Sequence, residues 1–300
     1  MIKYDKGTLR MRNLAVIDIG GTSIKFGAWV DEKLVTMDSE PTPDNLDDFY
    51  DVLKIKVEKI KNIYGDISGV AISSPGAVNK SAGRIDGASA IPYIHGFPIF
   101  DKLEALFGLP VSVENDANCA ALAEVAYGAG KDNQNILFLV LGTGVGGAII
   151  INRKIFHGSH LYGGEFGFMQ VNDHETLSEA CSPVNLARKY NEITDEDLTG
   201  KEVFDLADQG NQLAHDLREK MLESLAVAIY NLQYSYDPEK FILGGGVSNN
   251  PRLLPLLREK IQQVTARVSI ADIEPKVELC KFRSDANLYG AVVDFLQEHE

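Results

Sequence analysis

The chain has 300 residues, enough for one large or two ordinary domains, and at that length about 75% of the unfolded surface is buried without disulfides or a structural metal. Its 43 acidic and 29 basic residues leave a formal charge of −14, which repels phosphate backbones and anionic lipid and so argues against nucleic-acid and membrane partners. The 45% apolar and 24% charged content excludes a disordered or fibrous chain, but 27 glycines, several of them clustered, need an explanation.

Residues 1–11 lack the apolar core of a signal peptide and are expected to be a disordered leader, or an upstream start before Met11. Leu14 to Ile19 reads as a buried strand, Gly20-Gly21-Thr22 as a turn and Ile24 to Val30 as a second strand. A helix is expected from Asn45 to Lys61, on a stripe through Leu46, Phe49, Val52, Leu53, Val57 and Ile60, followed by a strand from Gly69 to Ser73. Ile99 to Phe107 reads as a short helix and Val111 to Val113 as a short strand. An alanine-rich helix then runs from Ala117 to Tyr127, with Asp116 at its start and Gly128 after its end.

The opening plan returns roughly 120 residues later, as Ile136 to Leu141, a turn through Gly142 to Gly147, and Ala148 to Ile151. Helices follow around Ser182 to Tyr190, Gly200 to Gln209 and Ala214 to Tyr236. Next come a strand from Lys240 to Leu243, the run Gly244-Gly245-Gly246, and a capped helix from Pro251 to Val264. Alternating strands and helices make the class α/β, in two similar halves. The expected domains are 12–116, with a final helix at 286–298 packing back on it, and 117–285, flanking a cleft. The apolar run from Ile136 to Ile151 is short for a bilayer and broken by glycines, so no membrane span is expected. Cys119, Cys181 and Cys280 are too widely spaced for a disulfide framework or a Cys-x-x-Cys pair, which suits a reducing cytoplasm.

Glycine turns after strands let backbone N–H groups approach an anion, so Gly20-Gly21, Gly142 to Gly147 and Gly244 to Gly246 are candidate phosphate cradles; the plain alternative is tight hairpins. Gly142-Thr-Gly-Val-Gly-Gly147 satisfies G-x-G-x-x-G, but a β-branched strand follows it where the dinucleotide fingerprint needs a helix. Glu114-Asn-Asp-Ala-Asn118 reads as an N-cap cluster or as a site whose base is Asp116. Glu165 lies among small residues, with Tyr162, Phe166 and Phe168 as walls for a sugar ring; a surface turn is the alternative. His157 and His160 have no third ligand at metal-binding spacing, and ordinary loop histidines are preferred.

These motifs, in this order, resemble the ROK family of bacterial sugar kinases, in the actin/hexokinase-like (ribonuclease H-like) ATPase superfamily. The resemblance spans nearly everything from Met11 onward. It implies that Asp18-Ile-Gly20-Gly21-Thr22 with Lys25, Leu141-Gly142-Thr143-Gly144, and Gly245-Gly246 hold the phosphates of ATP with Mg²⁺. It further implies Asp116 as general base, and Gly76, Asn115 and Glu165 at a sugar whose primary hydroxyl, O6, is phosphorylated. Two departures stand out. Phe168 replaces a histidine that contacts sugar and zinc, and the stretch from Asn172 to Ser182 offers only Cys181 where the family carries a zinc loop. Zinc is therefore not expected, the pattern is closest to the β-glucoside kinases, and Glu179 stands in for the glutamate after the zinc loop. N-acetylmannosamine kinase, glucokinase and fructokinase are the alternatives inside the family, and a homodimer is the common assembly. Two rivals come from other classes. One is a sugar-sensing transcriptional regulator, for which the 17 residues before Asp18 leave no room for a helix-turn-helix. The other is an actin-like ATPase without a sugar.

Overall fold

The computed structural model describes residues 13–282 and 284–299, and the expected leader lies outside them. The chain forms two compact units, Met1–Ala123 with Ser284–Glu300, and Glu124–Arg283.

In the first unit, β1 (Leu14–Ile19) and β2 (Ser23–Val30) form an antiparallel hairpin; β3 (Lys33–Thr36) and β4 (Glu40–Pro41) both pair with β2. Next come α1 (Leu46–Tyr64), β5 (Gly69–Ser74), the small hairpin β6 (Ala77–Asn79) and β7 (Arg84–Asp86), α2 (Ile99–Phe107), β8 (Val111–Asn115) and α3 (Asp116–Tyr127). Asn45 caps α1 by accepting the Asp48 N–H, an N-terminus that asparagine favours. The sheet order is β3-β2-β1-β5-β8, with β1, β5 and β8 parallel. Because side chains alternate along a strand, Ala15, Ile17 and Ile19 of β1 join a core with Phe49, Leu53 and Leu103 of α1 and α2. Leu14 and Val16 belong to a separate cluster with Cys119 of α3 and Val292 and Phe295 of the last helix, Ala286–Glu298. At Gly69 an ideal Cβ would overlap the Phe295 ring, so this helix lies directly on the sheet.

The second unit repeats that plan. It contains β9 (Ile136–Leu141), β10 (Val145–Ile151), β11 (Lys154–Ile155), α4 (Leu177–Cys181), α5 (Pro183–Thr194), α6 (Gly200–Asp208), α7 (Gln212–Tyr236), β12 (Lys240–Gly244), α8 (Leu253–Thr265) and β13 (Val277–Leu279). Its sheet order, β11-β10-β9-β12-β13, again starts from an antiparallel hairpin and continues with parallel strands. Leu137, Leu139 and Leu141 of β9 pack with Leu222, Leu225 and Ile229 of α7 in one large core. The last helix is α9.

Several expectations need correction. The second glycine turn is only Gly142-Thr143-Gly144: Val145, Gly146 and Gly147 already pair with Leu141, Val140 and Leu139, and Gly147 is needed within the strand because a Cβ there would lie 2.5 Å from the Phe138 carbonyl. Helix α8 starts at Leu253 with no side-chain cap, since Arg252 occupies the cap position. The division into units falls within α3. Cys119 is packed in the core of the first unit, whereas the Glu124 carboxylate accepts the N–H groups of Lys281 and Phe282 in the second, each at 2.7 Å.

Candidate active site

Strand β8 buries Val111 and Val113 beneath α1 and α2, so the alternation turns Ser112 and Glu114 to the other face and brings Asn115 to the strand's end. Asn115 is the cap of α3: its Oδ1 accepts the N–H of Ala117 at 2.9 Å and of Asn118 at 3.2 Å. Its Nδ2 donates to the Gly76 carbonyl at 3.0 Å, and Gly76 sits at φ +100° with no room for a Cβ beside Ile85 and His95. Capping thus falls to Asn115 and leaves Asp116 for other work. Asp116 accepts the Ala117 N–H at 2.8 Å through Oδ1. Burial pushes its carboxyl above the usual carboxylate range; the Ala117 N–H opposes this and the charge of Asp18 adds to it.

Asp18, the penultimate residue of β1, lies beside Ser73 of β5. Its Oδ1 accepts from the Ser73 hydroxyl at 2.9 Å and from Asn287 Nδ2 of α9 at 3.0 Å. Lys25 does not simply face solvent: its ammonium is 3.5 Å from Asp18 Oδ2 and donates to the Ser284 carbonyl at 3.0 Å. The turn between β1 and β2 is held from outside, since Thr42 Oγ1 donates to the Gly20 carbonyl at 2.6 Å and the Thr42 N–H to the Thr22 carbonyl at 3.1 Å. Gly21 and Thr22 remain exposed at its tip.

The first unit also holds a charge cluster that sequence reading missed. Glu114 is fully buried; its Oε1 accepts the Asn115 N–H at 2.8 Å and Asn118 Nδ2 at 2.9 Å, and its Oε2 is 3.1 Å from Lys80 Nζ. Lys80 also binds Glu298 at 2.7 Å and Asp294, both on α9. Burial works against the lysine's charge, but Asp294, Glu114 and Glu298 together outweigh it and raise its pKa. Burial pushes Asp294 up to about 7 against the pull of Lys80, with Glu114 and Glu298 adding repulsion.

In the second unit a cavity of about 480 Å³ opens beside the second and third glycine turns, between Leu141, Pro183, Phe204 and Val247. Gly142 and Gly246 line it, and an ideal Cβ on either meets nothing within 4 Å, so both backbones are bare toward the cavity. Gly245 packs the turn inward at φ +91°, where a Cβ would lie 2.2 Å from the Leu141 carbonyl. The Gly142 N–H closes on the Gly144 carbonyl at 2.9 Å, the Val145 N–H is held by Ser178 Oγ at 2.9 Å, and Thr143 is exposed between them. The α5 and α6 residues that complete this cavity carry no motif. Only their chain position, after the second glycine turn, hinted at them.

Glu165 is exposed at the start of a single 3-10 turn, Phe166–Phe168. Tyr162 and Phe168 are exposed beside it. Phe166 is only 4% exposed and packs in the core, so it does not wall a ligand pocket as expected: an odd residue between two exposed ones turns inward. Glu179 is the third helical residue of a capping box, its Oε2 accepting from the N–H and hydroxyl of Thr176 at 2.8 and 2.9 Å. Those hydrogen bonds lower its pKa. Among the described residues no group of three or more His, Cys, Asp or Glu side chains is arranged to hold a metal ion, and no helix is long and apolar enough to cross a membrane.

Two sheets built to one plan, each with a glycine turn in its leading hairpin, define an actin/hexokinase-like α/β fold of the sugar-kinase type. The family model described as ROK family matches residues 14–298, and the chain belongs to that family. It is 34% identical over 297 residues to a beta-glucoside kinase of Listeria monocytogenes, covering 95% of this chain and 98% of that one. Among solved structures, a ROK family protein from Streptococcus pneumoniae in complex with sucrose matches with a TM-score of 0.88 at 38% identity, over 96% of this chain and 99% of that one. A ROK family glucokinase from Streptomyces griseus in complex with glucose and AMPPNP matches at 0.74 and 27%, over 96% and 100%.

Proposed function

We propose that the protein transfers the γ-phosphoryl group of ATP to a primary hydroxyl, O6, of glucose or a β-glucoside, with Asp116 as general base. The observation that carries this is the Asp116 carboxylate: it is freed from capping by Asn115, half-buried, and raised in proton affinity by that burial and by Asp18. The bare backbones at Gly142 and Gly246 suit nucleotide phosphates, and the apolar walls of the adjoining cavity suit a flat base. Gly20, Gly21, Thr22, Lys25, Thr143, Gly144 and Gly245 complete the nucleotide side. Asp18, beside the first glycine turn, is an oxygen-donor carboxylate of the kind that hydrated Mg²⁺ uses together with substrate phosphates. When bound, that ion neutralises phosphate charge, which is how a chain of formal charge −14 accepts ATP. Glu165, Asn115 and Gly76 are assigned to the sugar; Glu179, occupied in its capping box, is a weaker candidate. ATP and free thiols are both cytoplasmic conditions, so the cytoplasm is the proposed compartment.

The test is a coupled ADP-release assay with glucose, N-acetylmannosamine, fructose and β-glucosides. ATP turnover that is unchanged by any sugar would overturn the reading. Two variants separate the halves of the site. Glu165→Ala raises the sugar KM by the equivalent of about 1.5–3 kcal/mol and leaves the ATP KM alone. Gly246→Leu, which puts a side chain into the cavity, raises the ATP KM about tenfold or more at unchanged melting temperature and unchanged sugar KM.

A further inference from the structure

The β6–β7 hairpin is a two-stranded sheet of its own, so no strand ladder joins it to β8. Two side-chain bonds do. Gly76 and Lys80 flank β6 at either end, and Glu114 and Asn115 are consecutive residues of β8: Asn115 Nδ2 donates to the Gly76 carbonyl at 3.0 Å, while Glu114 Oε2 is 3.1 Å from Lys80 Nζ. Both ends of β6 are thus tied to β8. The other oxygen of Glu114, Oε1, serves the start of α3, where it accepts the Asn115 N–H at 2.8 Å and Asn118 Nδ2 at 2.9 Å. Lys80 is anchored in turn on α9 by Glu298 and Asp294. Glu114 has no exposure to water, and a charge buried that deeply depends on every one of these partners.

We propose that Glu114 is a positioning residue for phosphoryl transfer, setting Asn115 and Asp116 against the Gly76 turn with Lys80 as its anchor. The proposal rests on the reading of Asp116 as the base and of Asn115 and Gly76 as sugar ligands. Being buried, Glu114 acts through these neighbours. Transfer needs the sugar hydroxyl and the base in register, and a misplacement of about 1 Å can cost about 10²-fold. A carboxylate suits this task where an amide does not. Donors lie at both of its oxygens, and glutamine has a single acceptor oxygen, so Glu114→Gln gives up either Lys80 or the start of α3. The loss of charge is well tolerated, because Lys80 keeps Asp294 and Glu298.

The experiment measures phosphorylation of glucose and a β-glucoside, calorimetric binding of the same sugars, and the denaturant midpoint, all in the full chain. Glu114→Gln lowers kcat about tenfold or more and raises the sugar KM and calorimetric Kd about three- to tenfold, with the ATP KM within about twofold of wild type. Asp294→Asn is the contrast. It keeps the Lys80–Glu114 pair, so it shifts the midpoint and leaves kcat and sugar KM within about twofold. Asn118→Ala removes one donor from Oε1 and keeps Lys80, and it gives the Glu114→Gln pattern at about two- to fivefold. This milder variant decides the matter if Glu114→Gln does not fold. Wild-type kinetics in whichever of the two is folded, a reduced active fraction at unchanged sugar KM and Kd, or equal kinetic losses in Asp294→Asn would each overturn the positioning role. If wild type binds sugar and transfers no phosphate, the kinase reading fails, and the calorimetric Kd of the variants still judges Glu114. Absence of sugar binding by wild type overturns both.

Discussion

Asp116→Asn lowers kcat by about 10²–10⁴ while the sugar and ATP KM values change little. The amide keeps an oxygen for the Ala117 N–H, and the cap of α3 is unaffected because Asn115 supplies it. What is lost is the proton acceptor, so the deficit falls on kcat. The pH profile gives an independent readout. A base works only when ionised, and burial with the Asp18 charge raises the pKa of Asp116, so kcat falls as pH drops through a limb above the usual carboxylate range. A variant with near wild-type kcat, or a profile flat down to the ordinary aspartate pKa, would falsify the assignment.

Lys80→Met destabilises the fold by about 3–5 kcal/mol, read as a lower denaturant midpoint at unchanged slope. The cost comes from what remains, since Glu114, Asp294 and Glu298 would face one another with no cation and Glu114 has no exposure to water. Asp294→Asn behaves oppositely. Its folded pKa, about 7, is above the unfolded value, so the carboxyl disfavours the folded state as pH rises from about 4 through 7. The asparagine removes that dependence and gains on wild type at pH 8, where the native carboxylate is charged. Equal midpoints for Lys80→Met and wild type would show the cluster to be solvated and structurally idle.

Much of the framework was legible in the residues because each half spells out its own strands and turns. Leu14 to Ile19 and Ile136 to Leu141 are runs too apolar for anything but buried strands, and Gly20-Gly21 and Gly142-Thr-Gly144 punctuate them. The edge strands β3, β4, β11 and β13 and the β6–β7 hairpin were not anticipated, since two to four residues carry no readable period. Glu114 was read as one acid of a cap cluster. Yet Val111 and Val113 alternate with Ser112 and Glu114, and this pattern already sends the glutamate to the face opposite the valines.

The order of elements, the duplicated hairpins, the glycine turns and the residues matching ROK motifs follow from sequence alone, because backbone conformation and strand burial are set by neighbours a few residues away. Only the tertiary structure decided which carboxylates share an environment. Asp18 meets Ser73 and Asn287, and Lys80 joins Glu114 to Asp294 and Glu298, across separations of 55, 269 and 214 residues for Ser73, Asn287 and Asp294 respectively. Proton affinities depend on burial and on charges a few ångströms away in space, and chain order contains neither. The same holds for the glycines. Their excess was visible at once, but only the packing separated those pressed against backbone, such as Gly245, from those left bare toward a cavity, Gly142 and Gly246.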